Sequence, residues 1–370
     1  MPMTKREFSA DDARYMAEAL QLAAKGRWTT APNPAVGCLL VKNGQVIGRG
    51  FHQVAGSPHA EIHALREAGE QARGATAYVT LEPCSHHGRT GPCADALIAA
   101  GIKNLVCAMS DPNPMVSGQG FAKLLAAGID CKSGLMSAEA EQLNRGFLKR
   151  MRTGKPFVTV KLGMSLDGRI ALGNGVSQWI TGEAARRDVQ RLRAGVQAII
   201  TGRGTLLADN PKLTVRLSDQ EWPAEVRECR KAPLRVLLDS SASMSASHHL
   251  ADGSAPTLVF QCAERPAHWP AHLQNIQLER IELESVLDEL GRRGCNDVLV
   301  EAGPTLSGAF VAAGLVDELC LYMAPMAIGQ AGKAALQLPS FTQIADCPRF
   351  TLADCRQIGE DLRLTYRPAL

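Results

Sequence analysis

The chain has 370 residues, a length that suggests two domains and is unusual for one hydrophobic core. Apolar residues make up 45% and charged residues 21%, which excludes a disordered chain, and no apolar run approaches the roughly 18 residues of a membrane-spanning helix. The net charge of +3 divides into 16 Lys+Arg against 13 Asp+Glu over residues 1–150 and 24 against 24 over 151–370, with no dense basic block; nucleic acid is not the expected partner, while a small anionic ligand needs only a few arginines.

The opening MPMTKREFSADD lacks an apolar h-region, so no signal peptide is expected. Eleven cysteines without one point to a reducing, cytoplasmic compartment. Ser9-x-x-Asp12 forms a capping box ahead of a helix with Ala13, Met16, Ala17, Leu20 and Ala23 at helical spacing. VGCLLV (36–41) and QVIGRGF (45–51) flank Asn43-Gly44, a hairpin signal. A helix from His59 to about Gln71, a strand over 75–81, a helix over Ala94–Ala100, a strand over 102–109, and helices over Phe121–Ala127 and Ala138–Met151 follow. This alternation predicts an α/β sandwich. Arg150–Pro156 is basic, contains Gly and Pro, and marks a boundary between domains 1–150 and 151–370. Beyond it, strands are expected at 157–165, 198–202, 234–240, 257–260, 297–303 and 318–325, with helices at Glu183–Ala194, Glu284–Arg293 and Pro304–Ala313. Ser218–Lys231 and 240–254 read as surface loops.

Two constellations carry chemistry. His59-Ala-Glu61 is followed by Pro83-Cys84 and by Cys93. One imidazole and two thiolates are the three protein ligands of a catalytic zinc, whose fourth position is left for water. Glu61 lies near enough in sequence to move protons there without ligating the metal. A thiolate at Cys93 gains from the helix start beside it. Zinc nucleobase deaminases carry H-x-E…P-C-x-x-C; here eight residues, SHHGRTGP, separate the cysteines. Cys38, Cys107 and Cys131 read as core, and His63, His86 and His87 as loop or helix-face residues. A structural zinc with His86 or His87 as fourth ligand would leave Glu61 unexplained.

The segment Glu82-Pro-Cys-Ser-His-His-Gly-Arg-Thr-Gly-Pro-Cys93, with Asn33-Pro-Ala-Val-Gly37 and Asp111-Pro-Asn-Pro114, resembles the pyrimidine deaminase half of the bifunctional riboflavin-biosynthesis enzymes. The resemblance implies a cytidine-deaminase-like α/β/α domain, one zinc ion, and substrate-side roles for Asn33 and His52.

In the second half no G-x-G-x-x-G follows a strand. Instead Glu301-Ala-Gly303-Pro304-Thr305-Leu306 runs from a strand into a helix, whose first N–H groups suit a phosphate. Lys161–Arg169, Ser177–Gly182, Arg193, Thr201–Thr205, Ala208–Pro211 and Leu213–Arg216 precede it in order. This series resembles the reductase half of the same family, which implies a dihydrofolate-reductase-like α/β fold and NADPH. Matched by position, Gly163, Trp179, Thr205, Asp209, Ser240, Gly303, Pro304, Thr305, Leu306, Ser307, Gly308 and Ala309 would contact the cofactor. Ser177, Arg193, Leu213, Arg216 and Glu301 would hold the substrate, with arginines on its phosphate and Glu301 on sugar hydroxyls.

The function so implied is zinc-dependent deamination of a diamino-ribosylaminopyrimidinone 5′-phosphate, followed by NADPH-dependent reduction of its ribosyl group to ribityl. The resemblance also implies a homo-oligomer. The rival expectation is a zinc deaminase of another nucleotide or of a tRNA base, with a non-catalytic second domain; it leaves some 220 residues without a role.

Overall fold

The computed structural model describes residues 8–85, 91–112 and 117–369. His86, His87, Asn113 and Pro114 lie outside them. Two compact units form: one from Met1–Gly154 with Asp219–Lys231, the other from Lys155–Ser218 with Ala232–Leu370.

In the first unit the capping box at Ser9 and Asp12 starts α1 (Ala10–Gly26). Strands β1 (Gly37–Lys42) and β2 (Gln45–Phe51) pair antiparallel around Asn43 and Gly44, both with positive φ, as a two-residue primed turn requires. Then come α2 (Ala60–Ala68), β3 (Thr76–Val79), α3 (Cys93–Ala99), β4 (Asn104–Cys107), α4 (Gln119–Ala126), β5 (Asp130–Ser133), α5 (Ser137–Leu143) and α6 (Arg145–Thr153). The sheet order is β2-β1-β3-β4-β5, with β3, β4 and β5 parallel. One face is covered by α2, α3 and α4 through Ala60, Ala64, Leu97, Phe121 and Leu124, and the other by Met16, Ala19, Ala140, Phe147 and Leu148 of α1, α5 and α6. This is the α/β sandwich that the alternation predicts, in the α/β/α form that the resemblance implies.

Two details depart from the sequence expectations. The helix expected over Ala138–Met151 breaks at Asn144, because that buried side chain turns to the backbone of Ala35, accepting from its N–H at 2.8 Å and donating to its carbonyl at 2.9 Å. The stretch Asp219–Lys231, expected as a surface loop, folds onto the first unit with Trp222 and Val226 buried. The Trp222 ring meets Trp28 at 5.3 Å between centroids, and Lys25 reaches Glu225 at 2.7 Å.

The second unit contains β6 (Phe157–Ser165), β7 (Arg169–Ala171), α7 (Glu183–Ala194), β8 (Ala198–Gly202), α8 (Arg203–Asp209), β9 (Leu234–Leu238), β10 (Thr257–Gln261), β11 (Gln274–Gln277), α9 (Leu283–Arg292), β12 (Asp297–Val300), α10 (Pro304–Ala312), β13 (Glu318–Ala324), β14 (Lys333–Ala334), β15 (Phe350–Ile358) and β16 (Asp361–Pro368). Nine strands form one sheet in the order β11-β10-β9-β8-β12-β6-β13-β16-β15. The first seven of that order run parallel, and the β15–β16 hairpin closes the edge antiparallel. Val158, Val160, Ile200, Val236, Val298 and Val300 fill one face with α9 and α10, and Ile199, Leu237, Val259 and Leu299 the other. Parallel strands buried on both faces read as continuous apolar runs, which is why the six central ones are legible in the sequence.

Candidate metal centre and nucleotide site

The first site begins with glycines. A Cβ on Gly48 would stand 2.2 Å from the Ala64 carbonyl oxygen, and one on Gly50 2.0 Å from that of Ala60. Helix α2 therefore lies flat on β2, and its start is fixed against the sheet. His59 is the residue before the helix; its carbonyl accepts the first helical bonds while its side chain caps nothing and is free to point elsewhere. Cys93 opens α3 directly, and its amide donates to the Cys84 sulfur at 3.3 Å.

The three side chains converge. His59 Nδ1 is 3.6 Å from Cys84 Sγ and 3.3 Å from Cys93 Sγ. All three ligand atoms fall within 4.8 Å of one another. A tetrahedral zinc with bonds of about 2.3 Å to sulfur and about 2.05 Å to nitrogen would hold N and S about 3.6 Å apart. The donor set and its spacing therefore fit zinc. Hydrogen bonds from the Cys93 thiol, His59 and the Cys93 amide hold the Cys84 thiol well below its usual range against burial, while the Cys93 thiol that donates to it is pushed up.

Glu61 is 3% exposed on the first turn of α2, and burial, aided by Cys84, pushes its carboxyl above its usual 4.5. His52 is also buried, which lowers its pKa to about 4 and leaves the ring neutral near pH 7. Its Nδ1 donates to the Pro58 carbonyl at 3.2 Å, so Nε2 accepts from the Asn33 amide at 3.1 Å. Its ring meets that of His59 edge-on at 5.1 Å. The structure thus brings Asn33 and His52 together beside the imidazole of the triad. Sequence reasoning passes over Asn144, which anchors the segment after Asn33, and Glu82, whose carboxylate gathers four backbone amides. Glu82 stands at the head of the Glu82–Cys93 motif, and Asn144 is a polar residue inside a helical pattern.

In the second unit the expected residues collect at the carboxyl ends of parallel strands, where open α/β sheets take ligands. Gly163 lies near the end of β6, Thr205 follows β8, Ser240 follows β9, and Glu301–Thr305 follow β12. Thr205 Oγ1 accepts the Gly303 amide at 3.1 Å, joining two of these turns. A Cβ on Gly303 would meet only that hydroxyl, at 3.8 Å, so the space over the start of α10 is open. Pro304 takes the first helical position and Thr305 is exposed beside it. Asp209 is exposed at the end of α8, and Ser240 is exposed with its carbonyl accepting from Cys262 and Ala263. Ser177 and Trp179 follow β7; the Trp179 ring is 68% exposed with the Arg186 guanidinium 4.6 Å from its centroid.

Several side chains have duties other than those expected. Ser307 and Gly308 are buried: the Ser307 hydroxyl donates to Ala302, and a Cβ on Gly308 would strike the Gln337 carbonyl at 2.0 Å. Leu306 packs toward Gly202, and Ala309 lies a turn beyond the helix start. Leu213 is 2% exposed in the core with Ile199, Leu206 and Leu237, and its φ of +49° is rare for a branched side chain. That left-handed residue turns the chain so that the Thr214 carbonyl accepts from Arg193 at 3.0 Å and the Arg216 amide donates to Gln190 at 3.0 Å. Arg193 is not a free cation, because Glu301 takes its Nε and Nη2 at 2.6 and 2.9 Å. The exposed Arg216 has no hydrogen bond from its guanidinium among the described residues, which leaves that group open to an anion.

Comparison with known proteins agrees with the division into two sites. Residues 9–109 match the cytidine and deoxycytidylate deaminase zinc-binding region, and residues 156–364 match the RibD C-terminal domain. The chain is 49% identical over 360 residues to the riboflavin biosynthesis protein RibD of Escherichia coli, covering 95% of this chain and 98% of that one. It is 47% identical to the Haemophilus influenzae protein of the same name, covering 98% and 99%. Among solved structures, Acinetobacter baumannii RibD superposes with a TM-score of 0.91 at 43% identity, covering 97% of this chain and 99% of that one. A Thermotoga maritima diaminohydroxyphosphoribosylaminopyrimidine deaminase/5-amino-6-(5-phosphoribosylamino)uracil reductase gives 0.88 at 34% identity, with the same coverage. The fold is therefore a deaminase-like α/β/α domain followed by a dihydrofolate-reductase-like reductase domain.

Proposed function

The chain belongs to the family of the riboflavin biosynthesis protein RibD, and we propose that it divides the family's two reactions between the His59–Cys84–Cys93 centre and the strand-end site around Gly303. It is a bifunctional deaminase and reductase of riboflavin biosynthesis, a hydrolase and an oxidoreductase on one chain. The rival expectation of a non-catalytic second domain falls with the match of residues 156–364 to the reductase family.

In the proposed assignment, the unit of Met1–Gly154 with Asp219–Lys231 carries the deaminase and the unit of Lys155–Ser218 with Ala232–Leu370 the reductase, close to the expected division 1–150 and 151–370 but with the Asp219–Lys231 stretch on the deaminase side. His59 Nδ1, Cys84 Sγ and Cys93 Sγ would hold one zinc ion. When bound, zinc supplies Lewis-acid activation of water at neutral pH. Glu61 takes up a proton and returns it to the amino nitrogen that departs as ammonia, so one water is consumed for each C–N bond replaced by C=O. Burial suits it to this exchange, because a carboxyl with a raised pKa both accepts and returns a proton near neutrality. Asn33 and the neutral His52 line the substrate side and orient a small phosphorylated pyrimidine.

At the reductase site we assign NADPH. Hydride transfer is the cofactor's chemistry. The protein places it with Gly163, Trp179, Thr205, Asp209, Ser240 and the backbone of Gly303–Ala309. The Gly303 amide is taken by Thr205 and Pro304 has none, so the Thr305 and Leu306 amides of the first turn of α10 are the ones that suit its phosphates. Arg216 holds the substrate phosphate, and Glu301, fixed by Arg193, faces the sugar hydroxyls. We further propose a homo-oligomer in the reducing environment of the cytoplasm; no disulfide joins any of the eleven cysteines.

The observation that carries this reading is the convergence of three ligand atoms beside a buried carboxylate. The test is ammonia release and NADPH oxidation on the pyrimidine phosphate, with zinc measured on the same samples. Glu61→Gln is expected to keep its zinc and its reductase activity and to lose deamination by about a hundred- to ten-thousand-fold. Full deaminase turnover with zinc still bound would sink the assignment.

A further inference from the structure

Glu82 is 3% exposed and lies two residues before Cys84. Its amide donates to the Met109 carbonyl at 3.0 Å, which ties the end of β3 to the end of β4. Its side chain does more. Oε2 accepts the amides of Asp111 and Gly118, each at 3.1 Å, and Oε1 accepts those of Gly120 at 3.0 Å and Phe121 at 3.4 Å. One carboxylate thus satisfies four backbone donors from the segment after β4 and the first turn of α4.

The fit is close on both sides. A Cβ on Gly120 would stand 2.1 Å from the Pro83 carbonyl oxygen and 3.2 Å from Glu82 itself. The start of α4 is therefore pressed onto the Glu82-Pro83 backbone. The next residue is Cys84, whose carbonyl accepts the Ala94 amide at 3.1 Å and whose sulfur accepts the Cys93 amide. Backbone that carries one ligand is braced from α4 on one side and from α3 on the other.

We infer that Glu82 is a positioning residue for the metal centre: its four-amide clamp fixes the Cys84 backbone so that the sulfur stands at ligand distance from His59 and Cys93. This rests on the reading of those three residues as zinc ligands. Among the described residues every hydrogen bond to the Glu82 carboxylate comes from a backbone N–H, so the site calls for an acceptor-only side chain. A glutamine in its place would turn an N–H₂ group toward two backbone N–H groups and release half of the clamp. Loss of groups that orient metal ligands costs roughly ten- to a hundred-fold in metal affinity or activity.

The experiment compares full-length wild type, Glu82→Gln, Glu82→Asp and Cys84→Ser. Zinc release is followed with a chromophoric chelator in excess, alongside deaminase kcat and KM, reductase turnover and far-UV circular dichroism. Glu82→Gln is expected to release zinc about tenfold faster or more and to lose deaminase kcat rather than KM, with reductase turnover and circular dichroism unchanged. Glu82→Asp, which keeps two acceptor oxygens on a shorter arm, is expected to fall between; it carries the test should the glutamine variant not fold. Zinc release and kcat within twofold of wild type in a folded Glu82 variant would overturn the inference. Zinc retained by Cys84→Ser would instead overturn the ligand assignment beneath it.

Discussion

Arg193 and Glu301 form a two-pronged ion pair, Nε to Oε1 at 2.6 Å and Nη2 to Oε2 at 2.9 Å, with both side chains about nine-tenths buried. Burial alone would raise the Glu301 carboxyl, but the guanidinium outweighs it and holds the group below its usual 4.5. A depressed carboxylate contributes stability that is fully present above its unfolded pKa and lost as pH falls through the folded one. We therefore expect the stability gap between wild type and Glu301→Gln to be constant from pH 8 to 5.5 and to shrink below about pH 4.5. Urea unfolding of both proteins across that range checks it; a gap that closes between pH 8 and 6 would refute the sign. Arg193→Ala, which strands a buried carboxylate, is expected to cost about 3–5 kcal/mol at pH 7.

The same pair separates the two arginines by role. Arg193 is buried and engaged by Glu301 and the Thr214 carbonyl, whereas the Arg216 guanidinium is exposed. Arg216→Ala should then raise the reductase KM for the phosphorylated substrate about ten- to a hundred-fold, the worth of a charge-assisted hydrogen bond of about 1.5–3 kcal/mol, and leave kcat nearly intact. Arg193→Lys cannot reproduce the fork and should lower kcat with the loss of Glu301 orientation. Steady-state kinetics on each variant distinguishes these outcomes, and an unchanged KM in Arg216→Ala would remove that residue from the phosphate.

The contrast shows what sequence can and cannot reveal. His59, Glu61, Cys84 and Cys93 are legible because metal chemistry restricts residue type and spacing, and the central strands because burial on both faces makes them continuously apolar. Leu213, Arg193 and Glu301 appear in the same ordered series, yet nothing local says that the leucine enters the core or that the two charges neutralise each other. Those are tertiary pairings, across 108 residues in the case of the ion pair. Strands β5 and β15 escape a sequence reading for a different reason. DCKS is short and polar, and FTLADCRQI is mostly exposed, so neither shows a clean period.

Trp222 gives a segment that lies between reductase stretches in sequence a stake in the first unit. It is 6% exposed against Trp28, and Val226 beside it is fully buried. Trp222→Ala is expected to destabilise the first unit by about 3 kcal/mol, the usual cost of emptying a buried aromatic site. A fragment ending at Gly154 lacks Asp219–Lys231 altogether and should melt below the same unit in the full chain. Differential scanning calorimetry of the full chain, the variant and the fragment measures this; a fragment as stable as the intact unit would show that the excursion adds nothing.

Gly50 tests the link from strand to metal centre. A methyl group there would lie 2.0 Å from the Ala60 carbonyl and 2.6 Å from the Ala64 amide, so Gly50→Ala forces α2 off β2. Backbone atoms cannot swing aside as a flexible side chain can, and overpacking of this kind costs about 1–3 kcal/mol. The displaced helix carries His59 at its head and Glu61 in its first turn, while Cys84 and Cys93 stay with β3 and α3. Zinc should be held more weakly and deamination lost, with reductase turnover unaffected. Gly44→Ala is the matched control: Gly44 has φ +77° and nothing within 4 Å of its Cβ, so it should cost about 1 kcal/mol of strain and leave zinc in place. Equal zinc affinity in the two variants would mean that close approach of α2 to β2 does not set the ligand geometry.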